Sequence, residues 1–322
     1  MFKNNYNNCS RTTHSLLWVP RALLVVVLFL PCCVFATSPN AGTSGASFLK
    51  IGPGARPAGL GESFTAVAND SNAAYWNPAG LAKVSRTEFS AMHLLWLTDM
   101  KYDYITMVFP FKGSGTLGIS GTLLTMGDFQ GYDSNGNLTS SFNAYDFNAN
   151  LSWGSRVALD PEIFMGFTLK YIQQVIENTT GRAVAADIGF LWVLFKNGFL
   201  GLNVQNLGQN MKFGNGTSPL PMTTRVGFAV LPTEGLTIAT DVSIPRDDDV
   251  KVSIGIENWI ENIFAVRAGY WYKTGGMQYS SSLTGLTAGA GFAILDSYGL
   301  DYAFEPYEDL GNTHRISLTL KF

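Results

Sequence analysis

From Thr87 to its last residue the chain alternates between apolar and polar positions. Ile316, Leu318, Leu320 and Phe322 fall on one side of an extended backbone, and Arg315, Ser317, Thr319 and Lys321 on the other. Tyr298, Leu300, Tyr302 and Phe304 oppose Gly299, Asp301, Ala303 and Glu305. Val250, Val252, Ile254 and Ile256 oppose Lys251, Ser253, Gly255 and Glu257 in the same way. Successive side chains of a strand point to opposite faces, so each segment predicts a strand with one apolar face and one polar face. Fourteen such strands begin near Thr87, Lys101, Thr116, Asn143, Glu162, Ala183, Phe199, Thr223, Leu236, Val250, Ile263, Leu283, Tyr298 and Thr313. Uncertain boundaries leave twelve and sixteen as neighbouring counts.

A soluble sandwich would alternate too, so further features decide the architecture. The segments run to about ten residues, which is what a tilted strand needs to cross a bilayer. Short turns, such as Lys112 to Gly115, Lys196 to Gly198 and Asn258 to Asn262, alternate with longer connections, such as Gly127 to Phe142 and Asn206 to Pro221. Short turns at one end and long loops at the other are the outer-membrane pattern. The chain ends on an alternating strand closed by Phe322, resembling the signal read by the bacterial barrel-assembly machinery, which is an expected partner during biogenesis. The expected fold is all-β, a transmembrane barrel of about 14 antiparallel strands over residues 87–322. Aromatics near strand ends (Tyr102, Tyr104, Trp153, Trp192, Trp259, Trp271, Tyr272, Tyr298 and Tyr302) suit interfacial girdles.

Composition agrees. Charged residues make up 14% of the chain, about half the usual share, which suits a surface turned to lipid. The formal net charge of −3 offers no basic patch for nucleic acid. At the N-terminus, Lys3, Arg11 and Arg21 precede the apolar run Ala22 to Leu30, and Val34-Phe35-Ala36 offers a small-residue cleavage site. That reads as an export signal over residues 1–36; the run is too short to be an anchor. Cys9, Cys32 and Cys33 all precede the expected cut, so the mature chain is expected to lack disulfides. Pro31 before Cys32 argues against lipid attachment there.

One stretch does not alternate. Phe48 to Ala82 is rich in Gly, Ala, Asn and Pro and has no strand-length pattern. It is expected to be an irregular segment (residues 37–86, with its polar lead) held inside the barrel. Its runs Gly52-Pro53-Gly54-Ala55-Arg56-Pro57, Gly59-Leu60-Gly61-Glu62-Ser63, Ala66-Val67-Ala68-Asn69-Asp70 and Trp76-Asn77-Pro78-Ala79-Gly80-Leu81-Ala82 resemble the N-terminus of the FadL-like superfamily of outer-membrane barrels, more closely its PorV/PorQ-like branch. The resemblance implies a 14-stranded barrel closed by an N-terminal hatch. FadL-like members pass long-chain fatty acids or other hydrophobic molecules by diffusion, with no cofactor and no chemistry. PorV-like members instead hold or shuttle cargo for type IX protein secretion. The partners implied are therefore outer-membrane lipids and a hydrophobic small molecule, or a secretion-system partner.

Several residues are singled out. Arg56, Asn69, Asp70, Asn77, Pro78 and Ala79 carry the hatch motif. Pro78 fixes a turn and keeps Asn77 out of helix, leaving the Asn amide to satisfy loop backbone. In the first strands both faces are apolar, as in Phe89 to Leu97, so something greasy is expected inside as well as lipid outside. Leu94, Trp96, Met107, Phe109 and Phe111 are candidates for lining a ligand path. Arg225 and Arg267 are inward by alternation and, like Arg56, could grip a carboxylate through two bonds; pairing with lumen acids is the plainer reading. Asp247-Asp248-Asp249 reads as a solvated run, with calcium as the sharper alternative. His93 and His314 are too separate to argue for a metal site, and no nucleophile motif accompanies His93, so no catalysis is expected.

Overall fold

The computed structural model describes residues 38–97, 100–275, 284–307 and 311–322. The expected export signal lies outside the described residues. The strands are β1 (Glu88–Leu95), β2 (Lys101–Phe111), β3 (Gly115–Phe129), β4 (Phe142–Leu159), β5 (Glu162–Ile176), β6 (Thr179–Phe195), β7 (Gly198–Gly208), β8 (Met211–Phe213), β9 (Gly216–Ser218), β10 (Thr223–Val230), β11 (Leu236–Pro245), β12 (Lys251–Ile260), β13 (Phe264–Lys273), β14 (Leu286–Ile294), β15 (Tyr298–Pro306) and β16 (Asn312–Lys321). All but β8 and β9 form one antiparallel sheet, each strand beside its predecessor, closed by pairing of β1 with β16. Fourteen strands thus make a closed barrel. The small β8–β9 hairpin hangs on β6 through Arg182 opposite Lys212.

The alternation explains the wall. Ile254, Ile256, Leu300, Ile316 and Leu318 stand exposed on the outside, while Ser253, Glu257, Arg315 and Ser317 between them are buried inside. Strands β3 to β6 run to 15–18 residues, well beyond the expected ten. β5 and β6 keep pairing up to Ile176 and Thr179, so only Glu177 and Asn178 connect them. Four of the expected girdle residues point the other way. Tyr102, Tyr104 and Trp271 are buried inside, and Trp259 lies under the inward Arg267 guanidinium. Strand-end position therefore did not fix which face an aromatic takes.

Residues 38–87 do not join the sheet. They contain only short helical turns, at Ser47–Lys50, Ala55–Gly59, Ala73–Trp76 and Pro78–Lys83. Backbone without regular structure needs other hydrogen-bond partners when buried. The inner wall supplies them. Asp241 accepts the N–H groups of Phe64 and Thr65 at 3.1 and 2.9 Å. Asn203 and Gln205 donate to the carbonyls of Trp76 and Tyr75, and Ser317 and Thr287 accept the N–H groups of Ala55 and Gly61. The inward polar residues are thus a lattice for the hatch main chain.

The hatch also lies on glycine. Gly154, Gly166, Gly189, Gly201, Gly227, Gly255 and Gly269 sit mid-strand on the inner face, and several face each other directly across strands: Gly154 with Gly166, Gly166 with Gly189, Gly201 with Gly227, Gly255 with Gly269. A Cβ at Gly166 would strike the Pro78 carbonyl, and one at Gly201 the Thr65 carbonyl. Gly255 and Gly269 meet Leu60 and Gly61 in the same way. A glycine inside a strand commonly marks the close approach of another backbone. Here the hatch main chain follows the inner circumference, wall backbone against hatch backbone.

Candidate functional site

Two packed layers divide the lumen. Toward the short-turn end, Leu60, Phe64, Trp76, Ala79 and Leu81 of the hatch pack with Val108, Phe164 and Leu191 of the wall. Trp76 is fully buried, edge-on to Phe64 at 6.3 Å and Tyr75 at 5.2 Å, and its indole N–H donates to the Pro53 carbonyl. Toward the long-loop end, Phe48 and Leu49 pack with Met92, Leu94, Tyr102, Tyr104 and Met211. Beside this second layer lies a cavity of about 600 Å³, bounded by hatch residues 44–51 and the long-loop halves of the strands.

The cavity has two kinds of wall. Phe48, Ile51, Trp96, Leu124, Met126 and Tyr307 give it an apolar side. Glu62, Arg225, Lys251, Glu305 and Arg315 give it a charged side. These groups are mostly committed to each other. Lys251 meets Glu62; Arg315 reaches Glu305 at 3.0 Å and donates to the Gly52 carbonyl at 2.7 Å. Trp271 donates to Glu305 at 2.8 Å. Burial opposes charge on Glu62, but Lys251 and then Arg315 more than offset it and hold its carboxyl down at about 2. Arg225 donates from Nε to Gln205 at 3.0 Å, and its guanidinium lies 4.9 Å from the Trp76 ring; its Nη1, like Nε of Arg315, is buried without a hydrogen-bond partner.

The expected site residues separate into groups. Asn77 is a structural turn: its Oδ1 accepts the Ala79 N–H, and its Nδ2 donates to the carbonyls of Thr65 in the hatch and Phe190 in the wall. Pro78 and Ala79 are buried in that turn, over Gly166 and Gly189. Arg56 is committed to the hatch and wall, bonding Glu257 twice, Asn69 and Asp70. Arg267 is held between Glu257 and Asp301, both at 2.7 Å, and does not reach the cavity. Of the three, Arg225 alone lines the cavity. Trp96 lines the cavity, 5.3 Å from Tyr307. Leu94 is fully buried against the hatch and lines no free space.

Met107, Phe109 and Phe111 are corrected by the register. On β2 the inward residues are Tyr102, Tyr104, Thr106 and Val108. The odd-numbered ones face outward; Phe111 is exposed there, stacked 6.2 Å from Trp153. With both faces apolar, the pattern cannot say which parity is inside; pairing with β1 and β3 decides it. The acidic run is also corrected. Asp247 is buried and takes Lys50 at 2.9 Å, Asp248 takes Lys273 at 2.8 Å, and Asp249 accepts the Ser38 N–H at 2.7 Å. It ties the start of the hatch to the long-loop end. The mid-strand glycines belong to the site as well, and their recurrence at inward positions in strand after strand is the signal of them in the sequence.

A profile of an uncharacterised protein family (UPF0164) matches residues 40–150. No curated protein matches the chain in sequence. Among solved structures, the chain resembles the toluene transporter TodX of P. putida, with a TM-score of 0.59 at 12% identity over 84% of this chain and 99% of that one. It resembles the toluene transporter TbuX of Ralstonia pickettii at 0.55 and 14% identity, over 84% and 98% of the two chains. A FadL homologue of Pseudomonas aeruginosa gives 0.51 at 10% identity, over 83% and 97%. The fold is that of these barrels.

Proposed function

We propose that the protein is an outer-membrane channel for passive uptake of small hydrophobic molecules, with long-chain fatty acids the preferred class. The cavity carries this reading. It sets an apolar side against the Arg225 guanidinium, whose Nη1 has no hydrogen-bond partner, the complement of a molecule with an apolar body and a carboxylate. The structures it resembles are named as toluene transporters and a FadL homologue, which supports hydrophobic cargo in general. Cargo arrives from the long-loop end and settles against Phe48, Ile51 and Trp96 with its polar end toward Arg225. Onward movement requires residues 44–51 to shift, because the layer around Trp76 and Phe64 is packed beneath. No bond is made or broken and no cofactor is needed.

Export through the N-terminal signal and insertion by the barrel-assembly machinery belong to the same reading. Purification in mild detergent followed by mass spectrometry of lipids and proteins tests it. A stoichiometric fatty acid or other hydrophobic molecule is expected. A stoichiometric protein partner with no such ligand would instead assign the PorV-like role of holding cargo for type IX secretion, and the cavity would then be incidental to hatch packing.

A further inference from the structure

The outer face of the wall carries chemistry that the lumen reading leaves unused. Strands β3 to β6 bring Gly121, Ala149, Tyr171 and Val184 side by side in register, all turned outward. The small side chain of Ala149, bordered by large ones, leaves a hollow. It is a groove of about 370 Å³, walled by Ile119, Leu151, Leu169, Tyr171 and Val184 over Ala149.

The next outward row toward the long-loop end is Leu123, Phe147, Gln173 and Arg182, and Arg182 stands opposite Lys212 of the small hairpin. The two rows are about 7 Å apart along the strands. On β5 and β6 this step takes the surface from Tyr171 and Val184 to Gln173 and Arg182, from apolar to polar and cationic. Directly opposed residues share a face, and like charges so placed repel. Arg182 and Lys212 are both exposed, and neither has an ion-pair partner among the described residues. Arg56, Lys170, Arg267 and Arg315 in the lumen all have one. An apolar groove thus ends, one row on, at two unneutralised cations.

We propose that this groove holds an acyl chain of a membrane lipid whose anionic phosphate head group is bound by Arg182 and Lys212. A phosphate between the two cations turns their mutual repulsion into two attractive contacts, and its chain fills the space above Ala149. The inference rests on the wall spanning a bilayer and is independent of what the lumen carries.

Native mass spectrometry of the full chain, purified as its host processes it, tests this with phosphatidylglycerol and phosphatidylcholine of identical chains. Each basic residue beside an anionic lipid is worth about five-fold in affinity, so the wild type is expected to prefer phosphatidylglycerol by about thirty-fold. The double variant Arg182→Gln/Lys212→Gln is expected to lose that preference. Ala149→Phe, which fills the groove, is expected to weaken both lipids. Heat-dependent gel mobility establishes that each variant is a folded barrel. Equal retention of the two lipids by the wild type, or a preference that survives the double variant, overturns the proposal. So does displacement of phosphatidylglycerol by millimolar inorganic phosphate, which would mark a site for free anions.

Discussion

Arg56 of the hatch and Glu257 of β12 hold each other through two parallel hydrogen bonds, Nε to Oε2 at 2.9 Å and Nη2 to Oε1 at 2.8 Å. Glu257 bonds Arg267 as well, at 2.7 Å, so one wall carboxylate bridges two buried guanidinium groups, each of which has a second acid, Asp70 for Arg56 and Asp301 for Arg267. Losing this carboxylate weakens the charge-assisted hydrogen bonds from Arg56, at about 1.5–3 kcal/mol each. Glu257→Gln is therefore expected to loosen the hatch near Ala55–Gly59 while the barrel stays closed. Limited proteolysis would cut the hatch of the variant faster than that of the wild type, with unchanged heat-dependent gel mobility. Equal cutting rates would show that the pair does not hold the hatch.

The glycine belt gives a sharper test of seating. Gly201→Ala puts a methyl group into the Thr65 carbonyl, and Gly166→Ala puts one into Pro78. Overpacking of this kind costs about 1–3 kcal/mol. At Gly299 the nearest atom to an added Cβ is 3.5 Å away, so Gly299→Ala is the matched control. The first two variants are expected to melt earlier than the control by calorimetry. A common melting temperature would mean that the hatch yields freely.

Acid should act through Glu62. Its carboxyl is held at about 2 in the folded protein and returns to about 4.5 when the chain unfolds. Its contribution to stability is therefore complete above about 4.5 and is lost as pH falls toward 2. Proteolytic protection of the hatch, measured with an acid-tolerant protease, is expected to decline across that window. Lys251→Met removes the largest opposing charge and should move the decline to higher pH.

Leu94 of β1 and Trp96 just beyond its end should behave differently. Leu94 is fully buried against Phe48 and Leu49, so Leu94→Glu is expected to impair assembly itself. Trp96 borders the cavity, so Trp96→Glu is expected to abolish uptake in a folded barrel. Arg225→Leu is expected to weaken a fatty acid about ten-fold or more and leave the matching alcohol unchanged, since a charge-assisted hydrogen bond contributes about 1.5–3 kcal/mol. Uptake assays with the acid and alcohol of one chain length separate the two effects.

The sequence by itself determined the barrel. Period-two alternation reports which residues share a face, and it set fourteen strand starts within a few residues wherever one face was polar, as in β12, β15 and β16. It also determined that Phe48 to Ala82 could not be strand, because its glycines and prolines break any alternating run. What it left open was parity where both faces are apolar, as on β2. There Met107, Phe109 and Phe111 face outward while Tyr102 and Tyr104 face the lumen. Only cross-strand pairing fixes that, since a shift of one residue exchanges the faces. The cavity, the paired state of Arg56 and Arg267, and the place of Arg225 on the cavity wall were likewise decided in three dimensions. Their partners lie up to 201 residues away along the chain, and distance in sequence carries no record of which wall carboxylate a hatch arginine will meet.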